Sequence, residues 1–450
     1  MEWKVLTFLV CLYGFFKEYR PSEAYLTAYL TGPWHNLTTE QVGNEIYPVW
    51  TYSYLGWLVP VFLLTDYLKY KPMLVLGGAA YVSTWVLLLW AKGVPAMKGM
   101  QVTYGLVTAT EVAYYSYLFS MVSTDLYQKI TSFTRAAVLI GRFAAYLTGQ
   151  LLVSFDLMDY RQLNIISLTS VSLALFLALF LKKPKFSSIF HTLSKTHEEK
   201  PPGEKKGKEE SSSCDIQHAS GSRDQIKYGI VFLWSELKVL YSDKTIIIWS
   251  CWWAFASCGQ LQVANYIQNL WSVISPEKDG SLYNGAVEAF GTFISAASVL
   301  IFGFLPINWS RPGLSQTVMA VVCGANTAIL IIMAQSTSIW TCYSLYSVFR
   351  ATYHTVIALA NLQIARSLTK QQYGFVFGVN TFITLVIETL LTVIVVDKAV
   401  LGVDVRTQFM VYGGYFGFIG FVFLAATIHA IYKNGCSYRI SAVYGEDTYM

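Results

Sequence analysis

Six ionisable residues stand inside stretches otherwise apolar enough to cross a bilayer: Glu111, Arg142, Glu288, Arg350, His354 and Glu388. Hydrocarbon does not solvate charge. Such side chains therefore face a protein interior or a watery cavity, pair with one another, and mark a path for a solute or ion. Their neighbours extend the pattern at helical spacing. Gln101, Tyr104, Thr108, Glu111 and Tyr115 form one face of a helix. Asn284, Glu288, Thr292 and Ser295 do the same, as do Tyr343, Ser347, Arg350, His354 and Asn361. Asn380, Thr384 and Glu388 form a fourth stripe; Arg135, Arg142 and Gln150 form a fifth, with Tyr146 one turn beyond Arg142. Paired acids and bases can also serve only to hold helices in register, and a lone His354 reads more simply as a hydrogen-bonded core residue. Stripes on five separate segments fit a shared polar cavity better than five independent locks.

Composition sets the medium around these residues. Apolar residues make up 54% of the chain and charged ones 13%, with mean hydropathy +0.44. A soluble domain carries roughly 25% charged residues. Net charge is only +5, and twelve of the 32 Lys and Arg crowd into one loop, so nucleic-acid binding is not implied. The seven cysteines show no metal-ligand spacing. No nucleophile–base pair, nucleotide loop or metal cluster stands out, so neither an enzyme nor a cofactor is expected. The first apolar run follows Met1–Trp3 without a small-residue cleavage site and reads as a retained helix.

A span takes about 20 mostly apolar residues. Twelve candidates centre on 4–28, 46–65, 72–91, 100–122, 133–155, 162–181, 245–271, 284–305, 315–334, 338–364, 371–396 and 407–432. Lys17, Glu18 and Arg20 interrupt the first, and Pro48 and Pro60 bend the second. Residues 182–244 are polar, with a Lys-, Glu-, Ser-, Pro- and Gly-rich centre that cannot bury enough apolar surface to fold. The expected fold is all-α: twelve transmembrane helices in two six-helix bundles. Residues 1–181 form one bundle, 182–244 a largely disordered linker, 245–432 the second bundle and 433–450 a tail. Two such halves suggest parallel repeats.

Basic residues near span ends set the orientation. The central loop, Lys69 and Lys71, and Arg366 and Lys370 share one side, expected to be cytosolic together with both termini; Lys92 and Lys98 fall outside. The sequon Asn36-Leu37-Thr38 lies in the first outer loop, where glycosylation is expected, whereas Asn308-Trp309-Ser310 falls in a cytosolic loop and should stay bare.

Several blocks give the chain a close resemblance to the reduced folate and thiamine carrier family. They are Arg20-Pro21-Ser22-Glu23, Asn44-Glu45-Ile46-Tyr47-Pro48-Val49-Trp50 continuing to 54, residues 60–72, 110–117 and 127–129, Trp252-Trp253-Ala254-Phe255, residues 283–289, and Phe377-Gly378-Val379-Asn380-Thr381-Phe382. The match runs from about 10 to 430 apart from the linker. Asp66 to Lys71 also resembles the acidic-then-basic loop thought to latch the bundles of major facilitator carriers. The resemblance implies a major facilitator fold, alternating access and a water-soluble vitamin as cargo; a coupling proton or counter-ion is a candidate further partner that the sequence does not specify. Family folate carriers have Arg at the position of Glu111 and Lys at that of Glu388. Both are acidic here, which favours a cation such as thiamine over a folate dianion. By the same resemblance Trp50 and Tyr104 would border the cargo's rings, with Tyr47 beside them. Glu23, Glu111, Asn265 and Glu288 would supply charge and hydrogen bonds. Two departures stand out: Gln101 replaces the family's usual Glu, and Arg142 is unusual in either branch. Arg142 could neutralise Glu111 or Glu388, or receive an anion. The leading expectation is a multi-pass plasma-membrane thiamine carrier. The alternatives are a folate carrier using Arg142 and Arg350, and a vitamin-binding receptor or scaffold without transport.

Overall fold

A computed structural model describes residues 3–68, 70–111, 127–182, 240–275, 283–304, 314–366, 373–398 and 400–444, with a few isolated positions between them. Most of the expected linker, Asn308, and the side chains of Asp66 and Lys69 lie outside the described residues. Among the described residues there is no strand and there are twelve long helices. They are α1 (Trp3–Glu18), α2 (Tyr47–Tyr67), α3 (Lys71–Trp90), α4 (Val94–Ala109), α5 (Tyr127–Ser154), α6 (Tyr160–Phe180), α7 (Lys244–Ile274), α8 (Asn284–Phe304), α9 (Leu314–Gln335), α10 (Ile339–Arg366), α11 (Tyr373–Val395) and α12 (Val405–Tyr444). Seven segments, in α3, α5, α6, α8, α9, α11 and α12, are long and apolar enough to cross a membrane.

Several elements differ from their sequence expectation. The first span does not run unbroken to residue 28. α1 stops at Glu18, and a 3-10 turn (Glu23–Tyr25) and a short helix (Leu26–Thr31) follow. Pro21 lacks an amide donor and disfavours helical backbone at Arg20, so the chain breaks where its charges enter the interior. α4 begins at Val94 rather than 100, because Pro95 pre-sets its first turn; its continuous stretch ends at Ala109. α12 continues to Tyr444, so the expected tail is helical over most of its length.

The helices pack in a pattern that repeats six positions on. α1 packs on α5, α2 on α4 and α3 on α6; α7 packs on α11, α8 on α10 and α9 on α12. Across the halves α2 meets α11 and α5 meets α8. This is the arrangement of two parallel repeats. Backbone closeness is part of the design: a Cβ at Gly141 of α5 would sit 2.6 Å from the Phe15 carbonyl oxygen of α1. Each lining helix also separates its faces. In α8 Asn284, Glu288, Thr292 and Ser295 are buried, while Phe290, Phe293, Leu300 and Ile301 are exposed as a lipid-facing row.

Many of the contacts between the halves lie at the end carrying residues 26–46, 268–286 and 396–404. The Thr27 amide donates to Gln268 Oε1 (3.2 Å) and its hydroxyl to Asn269 Oδ1 (3.2 Å). Gln268 Nε2 donates to the Glu23 carbonyl (2.9 Å), and the Ala286 amide to Gln150 Oε1 (2.9 Å). Tyr52 donates to Asp397 (3.1 Å), and Lys398 reaches Glu40 (3.2 Å) and Glu45 (3.1 Å). Those two carboxylates, Glu45 first, hold the exposed Lys398 ammonium above the usual lysine range.

Candidate functional site

The break after α1 organises the first half of the chamber. Glu18 is 1% exposed at its side chain and one of its oxygens takes Arg142 Nη2 (2.7 Å) and Nε (3.1 Å). The same oxygen takes Arg20 Nη2 at 3.1 Å, and Lys17 lies 3.6 Å from its other oxygen. Lys17 also pairs with Glu111 at 2.8 Å. Arg20 continues to Glu23 (3.2 Å) and donates to the Tyr104 hydroxyl (3.0 Å), which itself donates to Glu23 Oε1 (3.0 Å). The Arg20 guanidinium sits among Tyr81, Trp85 and Tyr104, 5.3, 5.8 and 5.9 Å from their ring centres, within cation–π range. Trp50 donates to Thr108 (3.1 Å), and its ring centre lies 6.4 Å from that of Tyr104. The result is an aromatic wall carrying a carboxylate, Glu23, that is 28% exposed at its side chain.

The second half contributes a simpler pair. Arg350 of α10 bonds Glu288 of α8, with Thr292 accepting from its other nitrogen (3.2 Å). Tyr346 donates to the same carboxylate (3.0 Å) and lies under the guanidinium. Tyr146 of α5 stands within electrostatic reach of Glu23, Glu288, Arg142 and Arg350, so the two groups face one chamber.

Where the halves meet, Glu388 of α11 is fully buried. Asn265 of α7 donates to its Oε1 (3.2 Å), and so does Thr51 of α2 (3.5 Å). Gln262 donates to its main-chain carbonyl (3.1 Å) and to Thr392 (2.7 Å), and accepts from Tyr412 (3.2 Å). No salt bridge among the described residues reaches Glu388, and its Oε2 has no hydrogen-bond partner.

The structure therefore brings together Glu23, Trp50, Tyr104, Glu111 and Arg142 in one network, Glu288 with Arg350, and Asn265 with Glu388. Tyr47 is placed apart: it is buried in the seam, its hydroxyl 2.7 Å from that of Thr27. Gln101 is buried against α2, its carbonyl accepting from Ser53 (3.2 Å). Tyr115 lies outside the described residues. Arg142 does not pair with Glu111 or Glu388; Glu18 takes it, because the break after α1 aims Glu18 at α5 and Lys17 at Glu111. Arg135 is exposed rather than inward. Lys71, part of the latch-like loop, donates to the Leu179 carbonyl of its own bundle (2.8 Å). Asn36 is exposed in the loop before the second helix. Lys17, Glu18 and Arg20 join the site although they belong to none of the five polar stripes; three charges within four residues at the end of an apolar run are the signal for them in the sequence.

Fold and chamber together define a membrane carrier of the major facilitator type: two six-helix bundles around a polar interior. The solved structure of the POT family transporter PepTSo shares that fold, with TM-score 0.64 and 12% identity, covering 95% of this chain and 98% of its own. The family model described as reduced folate carrier matches residues 1–411, and the chain belongs to that family. Human thiamine transporter 2 is 43% identical over 96% of this chain and 92% of its own length. The human reduced folate transporter is 38% identical over 96% of this chain and 73% of its own.

Proposed function

We propose that this chain carries thiamine, or a related vitamin with one fixed positive charge, across the plasma membrane by alternating access, with both termini cytosolic. One observation supports it above the rest. Within the chamber Lys17, Arg20 and Arg142 are matched by Glu18, Glu23 and Glu111, and Arg350 by Glu288. Glu388 alone lacks a positive partner among the described residues. The paired charges cancel, leaving one acid, Glu388, whose carboxylate form gives the interior a single negative charge when the seam opens it to the chamber. Such a chamber attracts a monocation and repels a dicarboxylate. Trp50 and Tyr104 offer ring faces to a flat heteroaromatic cation, with Glu23 beside them. The packing supports alternating access: the seam is held by scattered hydrogen bonds and the Lys398 ion pairs, which can break together, while each bundle is closely packed within itself.

The relatives' names support the vitamin class, and the absence of Arg and Lys at positions 111 and 388 supports the cation over folate. The test is uptake of labelled thiamine, thiamine phosphate, folate and pyridoxine into cells expressing the chain. Saturable thiamine uptake without folate uptake is expected; folate uptake without thiamine uptake overturns the proposal. Binding of thiamine without flux would instead assign a receptor.

A further inference from the structure

We infer that Glu388 is a proton-binding site, and that its proton is taken up and released as the seam between the bundles closes and opens. The inference rests in part on the proposed carrier function, and it goes further by assigning a second, ionic partner to a single residue.

Glu18, Glu23, Glu111 and Glu288 each have a Lys or Arg nitrogen within salt-bridge distance. Glu388 has none among the described residues, is fully buried, and has an oxygen with no hydrogen-bond partner. An ionised carboxylate sealed from water without a positive partner carries a large desolvation penalty; binding a proton removes it. The side chains within electrostatic reach do not replace a cation. They are Tyr54 of α2, Cys258 and Tyr266 of α7, and Tyr412 and Tyr415 of α12. All are neutral when protonated and supply dipoles at most. Tyr266 is itself buried with an unpartnered hydroxyl, so the pocket is short of partners rather than rich in them.

Position supplies the coupling. Thr51, which donates to Glu388, belongs to the first bundle, while Glu388 and Asn265 belong to the second. α2 and α11 are one of the long-helix pairs that join the halves. Moving the bundles apart along this pair withdraws Thr51 and exposes the carboxyl to chamber water. There the acid gives its proton to water and becomes a carboxylate. Reclosing the seam requires either that a proton return or that a cation occupy its place. The O–H bond that breaks on opening re-forms on closing, so no other reactant is needed.

The experiment uses the purified full-length chain. In liposomes, labelled thiamine uptake is measured under imposed pH gradients of either sign, for wild type, Glu388→Gln and Glu388→Asp. Wild-type uptake should respond to the gradient. Glu388→Gln, which also removes the chamber's one uncompensated acid, should take up less thiamine and show no gradient response in what remains, whereas Glu388→Asp should keep uptake and part of the response. The sign of the response separates exchange from cotransport, and either sign upholds the site. A Glu388→Gln protein with an unchanged gradient response overturns it. Infrared difference spectroscopy without cargo keeps the inference separate from the choice of vitamin. The carbonyl stretch of a protonated carboxylic acid should be present in wild type near neutral pH and lost in Glu388→Gln. Its absence from wild type overturns the inference even where thiamine is carried. Its presence upholds the site even where another vitamin is.

Discussion

Replacing Glu18 by Gln should destabilise the protein more than neutralising any other acid of the first bundle. The side chain keeps its shape but loses the charge that holds Arg142, Arg20 and Lys17. At 2.7 Å the Arg142 contact is worth about 6 kcal/mol at an effective dielectric near 20, before desolvation is counted. Removing one member of a buried pair typically destabilises by about 3–5 kcal/mol, because the other is stranded. Two features moderate the loss. Arg142 is 36% exposed at its side chain and can hydrate from the chamber, and Lys17 and Arg20 keep Glu111 and Glu23 as second partners. The expected cost is therefore near the lower end, about 3 kcal/mol. Thermal unfolding in lipid nanodiscs, with the folded fraction measured alongside, reads it directly. Glu18→Gln/Arg142→Gln should recover at least half of the loss, since the stranded guanidinium is gone. A Glu18→Gln protein as stable as wild type would refute the idea that the broken first span is held by this carboxylate.

Glu111→Gln should behave differently. Glu111 is 38% exposed and Lys17 retains Glu18, so stability should fall by only about 1 kcal/mol while thiamine uptake drops at normal surface expression. Gly141→Ala should cost about 1–3 kcal/mol in the same unfolding assay, because the new methyl meets the Phe15 backbone and helices cannot shift as a flexible side chain can. Asn36→Gln should speed migration of the protein on a denaturing gel by removing a glycan, whereas Asn308→Gln should not change it. Because Glu45 and Glu40 raise the Lys398 ammonium, its contribution is fully present below the ordinary lysine range and is lost as pH rises through the elevated value. In a pH series of unfolding temperatures, Lys398→Ala should flatten that alkaline limb, and high salt should weaken the same contact.

Much of the fold was legible because the bilayer imposes a simple rule: apolar runs of sufficient length become helices, and charges within them turn inward. The stripes through Glu288 and Arg350 are expected to face inward from their spacing, and the two residues meet in one ion pair. The pairing inside the first bundle was not legible. Periodicity places Glu111 and Arg142 on inward faces, but it says nothing of the break at Pro21. That break brings Lys17 and Glu18 between them and gives each a different partner. For the same reason the aromatic cage around Arg20 escaped the sequence reading, since it draws on Tyr81 and Trp85 of a helix with no polar stripe to single it out. The isolation of Glu388 could not be read either. A carboxylate's lack of a partner depends on three helices from two bundles, and sequence spacing reports on one helix at a time.

The most direct test of the central claim is counterflow with purified protein. Liposomes preloaded with unlabelled thiamine and placed in trace labelled thiamine should show a transient accumulation of label above the outside concentration. Folate, inside or outside, should neither replace thiamine nor compete with it. Binding of thiamine with no counterflow, or counterflow driven by folate instead, would contradict a cation carrier built around one uncompensated carboxylate.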